Sequence, residues 1–322
     1  MIISVSRRTD VPCFFSDWFY NRVQEGYVCV RNPMSAHQVS RITLTPDVVD
    51  CFVFWSKNPG PMIDRLGELE GFNYYFQFTL TGYGHDIEAG VPHKRNVMIP
   101  TFQRLAQMVG PERVVWRYDP IAFSSKYTTD YHLHAFESIA TALRGCTERC
   151  VISFVDTYQK NKARLREAGL SDQGDSGLES FARELANVAK QNGMSVGTCA
   201  EKIDLAAVGI EHNACVSREL IQRIAHAQMK VGKDTGQRTE CGCVQSIDIG
   251  TYNTCRLGCK YCYANFSPQT IAQNVSRYDA TSPLLCDALR EDDVVTERKM
   301  RSLFVPQLSL FGDGDRKSVG RS

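Results

Sequence analysis

The chain has 322 residues, 43% of them hydrophobic and 23% charged, which is ordinary for a globular protein and ample to bury a core. A formal net charge of +1 provides no global field to draw in nucleic acid or membrane, and no stretch approaches the ~18 consecutive apolar residues of a membrane span. The opening "MIISVSRRTDVPCFF" carries no apolar run of secretory length, so the expected compartment is the cytoplasm and no membrane partner is expected.

In chain order, β-branched and aromatic runs alternate with segments of helical period. A strand over 2–6 ("IISVS") precedes a helix around "SDWFYNRVQEG". A strand over 50–55 ("DCFVFW") ends at "SKNPG" and is followed by a helix at "PMIDRLGEL". A strand over 74–81 ("YYFQFTLT") leads to a helix within "KRNVMIPTFQRLAQMVG". A strand over 113–120 ("RVVWRYDP") precedes the helix "DYHLHAFESIATALRG", and a strand over 150–156 ("CVISFVD") precedes "LESFARELANVAKQNG". The sixth unit pairs a strand over 195–201 ("SVGTCAE") with the helix "SRELIQRIAHAQ". No hairpin signal is visible at a sheet edge.

This alternation predicts an α/β fold of parallel strands with crossover helices, either a β/α barrel or an open doubly wound sheet. Polar residues cluster past the strand ends in "SRRTD", "SKNP", "TLTGYGHD", "RYDP", "FVDTY" and "CAEKID", and no Gly-rich phosphate loop follows any strand. In a TIM-like barrel such clusters meet at one mouth, so the barrel is the preferred reading. Residues 1–227 are expected to supply the barrel units and 228–268 a cysteine-rich segment completing it. Residues 269–322 read as a loosely folded extension with a disordered tail.

The chain has 13 cysteines, seven of them between Cys199 and Cys262. An odd count in a long chain without a secretory signal favours metal or redox chemistry over disulfides. Cys13, Cys29, Cys51, Cys146 and Cys150 are scattered and read as small buried hydrophobes, while Cys286 stands alone. Cys255, Cys259 and Cys262 follow the spacing Cys-x3-Cys-x2-Cys, with Tyr261 just before the last and Gly258 allowing a tight loop. Zinc favours four ligands in two short pairs, whereas three thiolates on one loop suit a four-iron cluster with one iron open. The plain alternative is a zinc knuckle or a set of buried thiols. Cys199, Cys215 and the pair Cys241 and Cys243 are four further ligands, enough for a second iron–sulfur cluster or a zinc site.

The "TCRLGCKYCYAN" segment resembles the radical SAM superfamily. That resemblance implies a [4Fe-4S] cluster on Cys255, Cys259 and Cys262 that chelates S-adenosylmethionine, with Tyr261 near the adenine. It further implies reductive cleavage to a 5′-deoxyadenosyl radical and an electron donor as partner. In that superfamily the motif follows the first barrel strand. Here it follows the last predicted unit, after "QSIDIGTYNT", so the resemblance implies a circularly permuted barrel with "SIDIG" presenting the cluster loop. No Gly-Gly-Glu segment is present to hold the cofactor's amino group, and Glu201 is the substitute considered.

Over nearly its whole length the chain also resembles the family called domain of unknown function 1848, in "SVSRRTDVP", "FWSKNP", "FQFTLTGYG", "WRYDPI", "TCAE" and "YNTCRLGCKYCYAN". "SKNP", "FTLT" and "RYDP" resemble, more distantly, strand ends of spore photoproduct lyase-like proteins.

Arg117 and Asp119 in "RYDP" share a strand face and are the catalytic candidates, for binding a carboxylate or phosphate, with a rim ion pair as the plain alternative. Arg7, Arg8, Asp10 and Lys57 carry the same two readings. The seven histidines show no ligand spacing. In the tail, Gln307-Leu308-Ser309-Leu310-Phe311 resembles the peptide by which bacterial polymerases and repair proteins dock on the DNA sliding clamp. The combined expectation is a radical SAM-like iron–sulfur enzyme acting on nucleic acid. The alternative is a non-enzymatic iron–sulfur or zinc module for nucleic-acid binding or redox sensing.

Overall fold

The fold is taken from a computed structural model and is described for residues 1–171 and 177–305. Its strands are β1 (Ile2–Val5), β2 (Tyr27–Arg31), β3 (Gln38–Thr43), β4 (Cys51–Ser56), β5 (Tyr74–Thr79), β6 (Val114–Ile121), β7 (Arg149–Phe154), β8 (Ser195–Cys199), β9 (Glu211–Asn213), β10 (Ile247–Asp248) and β11 (Val294–Glu297). The helices are α1 (Val11–Phe14), α2 (Ser16–Gln24), α3 (Gly60–Ile63), α4 (Ile99–Val109), α5 (Thr129–Ala142), α6 (Lys162–Glu167), α7 (Leu178–Gln191), α8 (Arg218–Ala225) and α9 (Pro268–Val275).

The result is an α/β fold whose main sheet has eight strands in the order β10-β1-β4-β5-β6-β7-β8-β9. Every pairing in it is parallel. Parallel neighbours need crossovers, and the helical segments between the strands supply them. The expected helix at "PMIDRLGEL" is split into α3 and a 3-10 turn at Leu66–Leu69. "SIDIG" contributes β10, which pairs with β1 through Ile3↔Ile247 and Ser4↔Asp248. Among the described residues no ladder joins β9 to β10. The chain between them spans that gap, where the Val244 amide donates to the Val216 carbonyl at 3.1 Å.

Side-chain alternation divides the sheet into two faces. Ile3, Phe52, Phe54, Phe76, Trp116 and Ile152 pack under the helices, against Phe102 of α4, Phe136 of α5 and Phe181 of α7. Ile2, Val53, Tyr75, Val115 and Val151 turn the other way, onto Val216, Cys215, Cys243 and the apolar side of α8. The second face turns polar toward its C-terminal end.

Two expectations are corrected. A hairpin exists: β2 and β3 pair antiparallel from Tyr27↔Thr43 to Arg31↔Val39, and β11 adds in parallel to β3. Its connection, residues 32–37, is longer than the two-residue turns that advertise hairpins in a sequence. The segment 269–305 is also built into the fold. Its Ser282 carbonyl accepts the Trp18 indole N–H at 2.9 Å, and Leu284, Leu285 and Cys286 are buried. Its high charge content reads as solvated in sequence, yet Asp287 and Asp293 are both bound by Arg31. Gln307–Phe311 lies outside the described residues.

Trp116 anchors the helix-covered face. It is fully buried, stacks on Phe136 with centroids 4.7 Å apart, and donates to the Leu80 carbonyl at 2.8 Å. Trp116→Ala is expected to cost about 3–5 kcal/mol, read as a lower urea midpoint at unchanged slope. An unchanged midpoint would contradict this packing.

Candidate metal centre at the strand ends

A cavity of about 480 Å³ opens at the C-terminal ends of the parallel strands. Residues from or just past β1, β4, β5, β6, β7, β8, β9 and β10 line it, so the polar strand-end clusters converge at one place. Both cysteine groups reach it: Cys255, Cys259 and Cys262 from the loop after β10, and Cys199, Cys215, Cys241 and Cys243 from the ends of β8 and β9 and the segment before β10. A second hollow of about 360 Å³ is lined by Pro111, Arg144, Thr147, Glu148, Gln191 and Asn192 with two glycines, and no cysteine is in its lining.

The loop after β10 is fastened by its backbone. Gly258 has φ +65°, a conformation that favours glycine. Asn265 Oδ1 accepts the amides of Thr254 and Cys255, both at 2.9 Å, and Asn265 Nδ2 donates to the Arg8 carbonyl at 2.9 Å. Arg164 of α6 donates to the carbonyls of Cys259 and Asn265, each at 3.2 Å, and to that of Cys262. The Gly90 amide donates to the Leu257 carbonyl at 2.8 Å, and a Cβ on Gly90 would stand 2.9 Å from the Arg256 carbonyl oxygen. Asn265 Nδ2 also donates to Cys262 Sγ at 3.7 Å.

Burial pushes the Cys259 thiol up to about 12 and raises that of Cys255. As bare groups they stay protonated; a bound cation is what converts such thiols to thiolates. Among the described residues no three of the seven sulfurs lie within 4.8 Å of one another. A single tetrahedral ion with metal–sulfur bonds of about 2.3 Å holds its ligands about 3.8 Å apart. A single ion would require the side chains of either cysteine group to close in on it, whereas the ligands of a cluster each take a separate iron.

Beside this loop lies a buried charge network. Glu88 accepts from Lys57 at 2.7 Å, from the Thr81 hydroxyl at 2.9 Å, and from Lys94 and the Tyr261 hydroxyl. Burial alone would raise the Glu88 carboxyl, but Lys57 and Lys94 outweigh it and hold the group down to about 2. The Tyr261 ring faces Lys57 Nζ at 5.5 Å, and its carbonyl accepts from Asn161 Nδ2 at 3.1 Å. Asp10 is buried and accepts from the Ser56 hydroxyl and the Lys57 amide, both at 2.7 Å. Burial raises its carboxyl.

The other four thiols form a string. The Cys215 thiol donates to Cys199 Sγ at 3.4 Å, and Cys243 lies beside both Cys215 and Cys241. The Cys215 hydrogen bond draws the Cys199 thiol down to about 7, against burial and with help from Arg117. Cys243 is held well below the usual thiol value by the Cys215 and Cys241 thiols, with Arg7 contributing. Arg117 and Asp119 share a face as expected and form an ion pair, and Arg117 Nη1 also reaches Gln77 Oε1 at 3.2 Å and Cys215 Sγ at 2.7 Å. Glu201 is not part of the cavity lining. Ala200 has φ +54°, which breaks the alternation that would keep Glu201 on the face of Cys199, and its carboxylate accepts the Phe154 amide at 2.8 Å.

Several residues at the site were not singled out from the sequence. Glu88 lies two positions past the polar cluster "TLTGYGHD", so the cluster pointed near it. Gly90, Lys94, Asn161 and Arg164 sit in segments without any local motif, and only tertiary contact reveals them. Trp55 ends the strand expected over 50–55, and its ring is faced by the guanidinium carbons of Arg7 and Arg117, each 5.1 Å from the centroid.

Replacing Glu88 by Gln leaves two lysines without their buried counter-charge and is expected to cost about 3–5 kcal/mol at neutral pH, measured by urea unfolding. A carboxyl held at about 2, against an ordinary value of 4.5, contributes its full stability above pH 4.5 and loses it as pH falls toward 2. The gap between parent and Glu88→Gln should therefore be constant from neutral pH down to about 4.5 and narrow from there toward 2. A gap that stays constant in acid would contradict the pairing.

No curated protein matches the chain. The family described as "Domain of unknown function (DUF1848)" has a model that matches residues 2–264. The matched span takes in all eight strands of the main sheet and all seven cysteines of the cavity. The chain belongs to that DUF1848 family.

Proposed function

We propose that the chain is an iron–sulfur enzyme of radical SAM type, with Cys255, Cys259 and Cys262 as the ligands of a [4Fe-4S] cluster and S-adenosylmethionine as its co-substrate. The observation that carries this reading is the trio itself: three thiols on one fastened loop, facing a cavity. The barrel expectation belongs to the same reading. In spatial order β10 comes first, followed by β1 and β4, so the cluster loop follows the first strand of the ladder although it comes late in the chain. That is the arrangement a permuted, incompletely hydrogen-bonded barrel would have.

When bound, such a cluster supplies the single electron that reductive cleavage of a sulfonium requires. The chain's own residues bind and orient. Arg164 and Asn265 hold the loop backbone, so the thiols are presented without rearrangement. Lys57 and Lys94 place positive charge near Cys259 and favour its thiolate. Tyr261 is pinned through its hydroxyl to Glu88, which holds its ring fixed at the cavity wall. Arg117 and Asp119 line the same cavity and are proposed to orient a polar substrate group.

Anaerobically purified protein is expected to show the broad visible absorbance of thiolate-to-iron charge transfer, to lose the trio's share of iron and of that absorbance in Cys255→Ala, and to release 5′-deoxyadenosine from S-adenosylmethionine under reduction. Iron content and absorbance unchanged in Cys255→Ala would overturn the ligand assignment. A loaded cluster without cleavage would leave the non-enzymatic metal module as the reading.

The sequence of Gln307–Phe311 supports a substrate associated with nucleic acid, because tethering to the sliding clamp raises effective concentration there. Deleting these five residues is expected to abolish clamp binding and leave metal content unchanged. Clamp binding that is absent in the intact chain would withdraw the nucleic-acid assignment.

A further inference from the structure

We propose that Cys199, Cys215, Cys241 and Cys243 hold a second metal centre, a thiophilic transition metal in all-thiolate coordination, distinct from the centre on the loop after β10. The four sulfurs come from three separated stretches of chain, and the fold strings them along one cavity wall. Cys215 contacts Cys199 at 3.4 Å on one side and Cys243 on the other, and Cys243 contacts Cys241.

Donors that would stabilise thiolates already point at them. The Val216 amide donates to Cys243 Sγ at 3.3 Å, Arg117 Nη1 to Cys215 Sγ at 2.7 Å, and Asn213 Nδ2 to Cys215 Sγ at 3.6 Å. N–H groups aimed at sulfur are the usual outer partners of metal-bound thiolates.

The independent observation is Arg7. Its Nη2 is buried with no hydrogen-bond partner, and among the described residues its guanidinium forms no ion pair with a carboxylate. Its closest electrostatic partners are Cys243, Asp248 and Cys215. A guanidinium largely withdrawn from water, with the Asp248 carboxylate near but not ion-paired to it, favours further negative charge beside it. Four thiolates around a divalent ion or a cluster core are anionic overall and supply that counter-charge. Two disulfides among the same sulfurs would be neutral and leave Arg7 unpaired. Metal binding releases to solvent the proton of each thiol that becomes a ligand.

The test uses the full chain, purified anaerobically, with iron, zinc and acid-labile sulfide counted per chain. The wild type is expected to carry metal beyond the trio's about four irons, either about one zinc or about two to four further irons with matching sulfide. The triple variant Cys255→Ala/Cys259→Ala/Cys262→Ala is expected to keep that extra complement and to lose it when Cys215→Ala and Cys243→Ala are added. Zinc without sulfide identifies a single ion, and iron with sulfide a cluster; either supports the proposal. A wild-type chain holding only the trio's irons overturns it, and that measurement needs no variant to fold. A folded triple variant free of metal also overturns it, as does non-reducing mass analysis finding these four cysteines joined as disulfides. Loss of the trio's iron alone bears on the proposed function and leaves this site standing.

Discussion

Parallel pairing sends every strand's C-terminal end to the same edge of the sheet, and the rest of this molecule depends on that constraint. A side chain at the last inward position of one strand meets those of its neighbours because the register is continuous: Trp55 opposite Gln77, Thr79 opposite Arg117. The loops leaving those ends have no choice but to share one space. Seven cysteines spread over more than sixty residues of chain thus come to line a single cavity.

Electrostatics then decides what that space can hold. Glu88 between Lys57 and Lys94 is a charge cluster closed on itself, with Tyr261 and Thr81 completing the carboxylate's hydrogen bonds. Arg117 is likewise consumed by Asp119 and Gln77 on one side and reaches a sulfur on the other. Arg7 breaks the pattern as a half-buried guanidinium that faces Cys243 and Cys215 and has Asp248 near it without an ion pair. Protein interiors tolerate buried charge when it is paired, and Arg7 Nη2 is a buried donor of the cavity wall without a hydrogen-bond partner.

In the centre proposed on the loop after β10, little of the arrangement resides in the thiols themselves. Its thiols are placed by amide and carbonyl contacts from Asn265, Arg164 and Gly90, none of which is chemically conspicuous. Gly90 matters because the loop backbone passes where a Cβ would be. Such supporting residues orient ligands by ordinary hydrogen bonds, so they carry no spacing rule of their own.

What the sequence by itself determined was periodic and local. Six strand–helix units, the strand-end polar clusters, the shared face of Arg117 and Asp119 and the two cysteine groups were all legible, because alternation and short spacings are written along the chain. The hairpin of β2 and β3 escaped, its turn having no glycine signature, and so did the docking of residues 269–305, whose partners lie some 250 residues away. Only the tertiary structure decided that β10 stands beside β1, that Ala200 turns Glu201 out of the cavity lining, and that Glu88, Arg164 and Arg7 belong to the site. Each of those facts rests on contacts between segments distant in sequence, and no local propensity encodes which distant segment a side chain will meet.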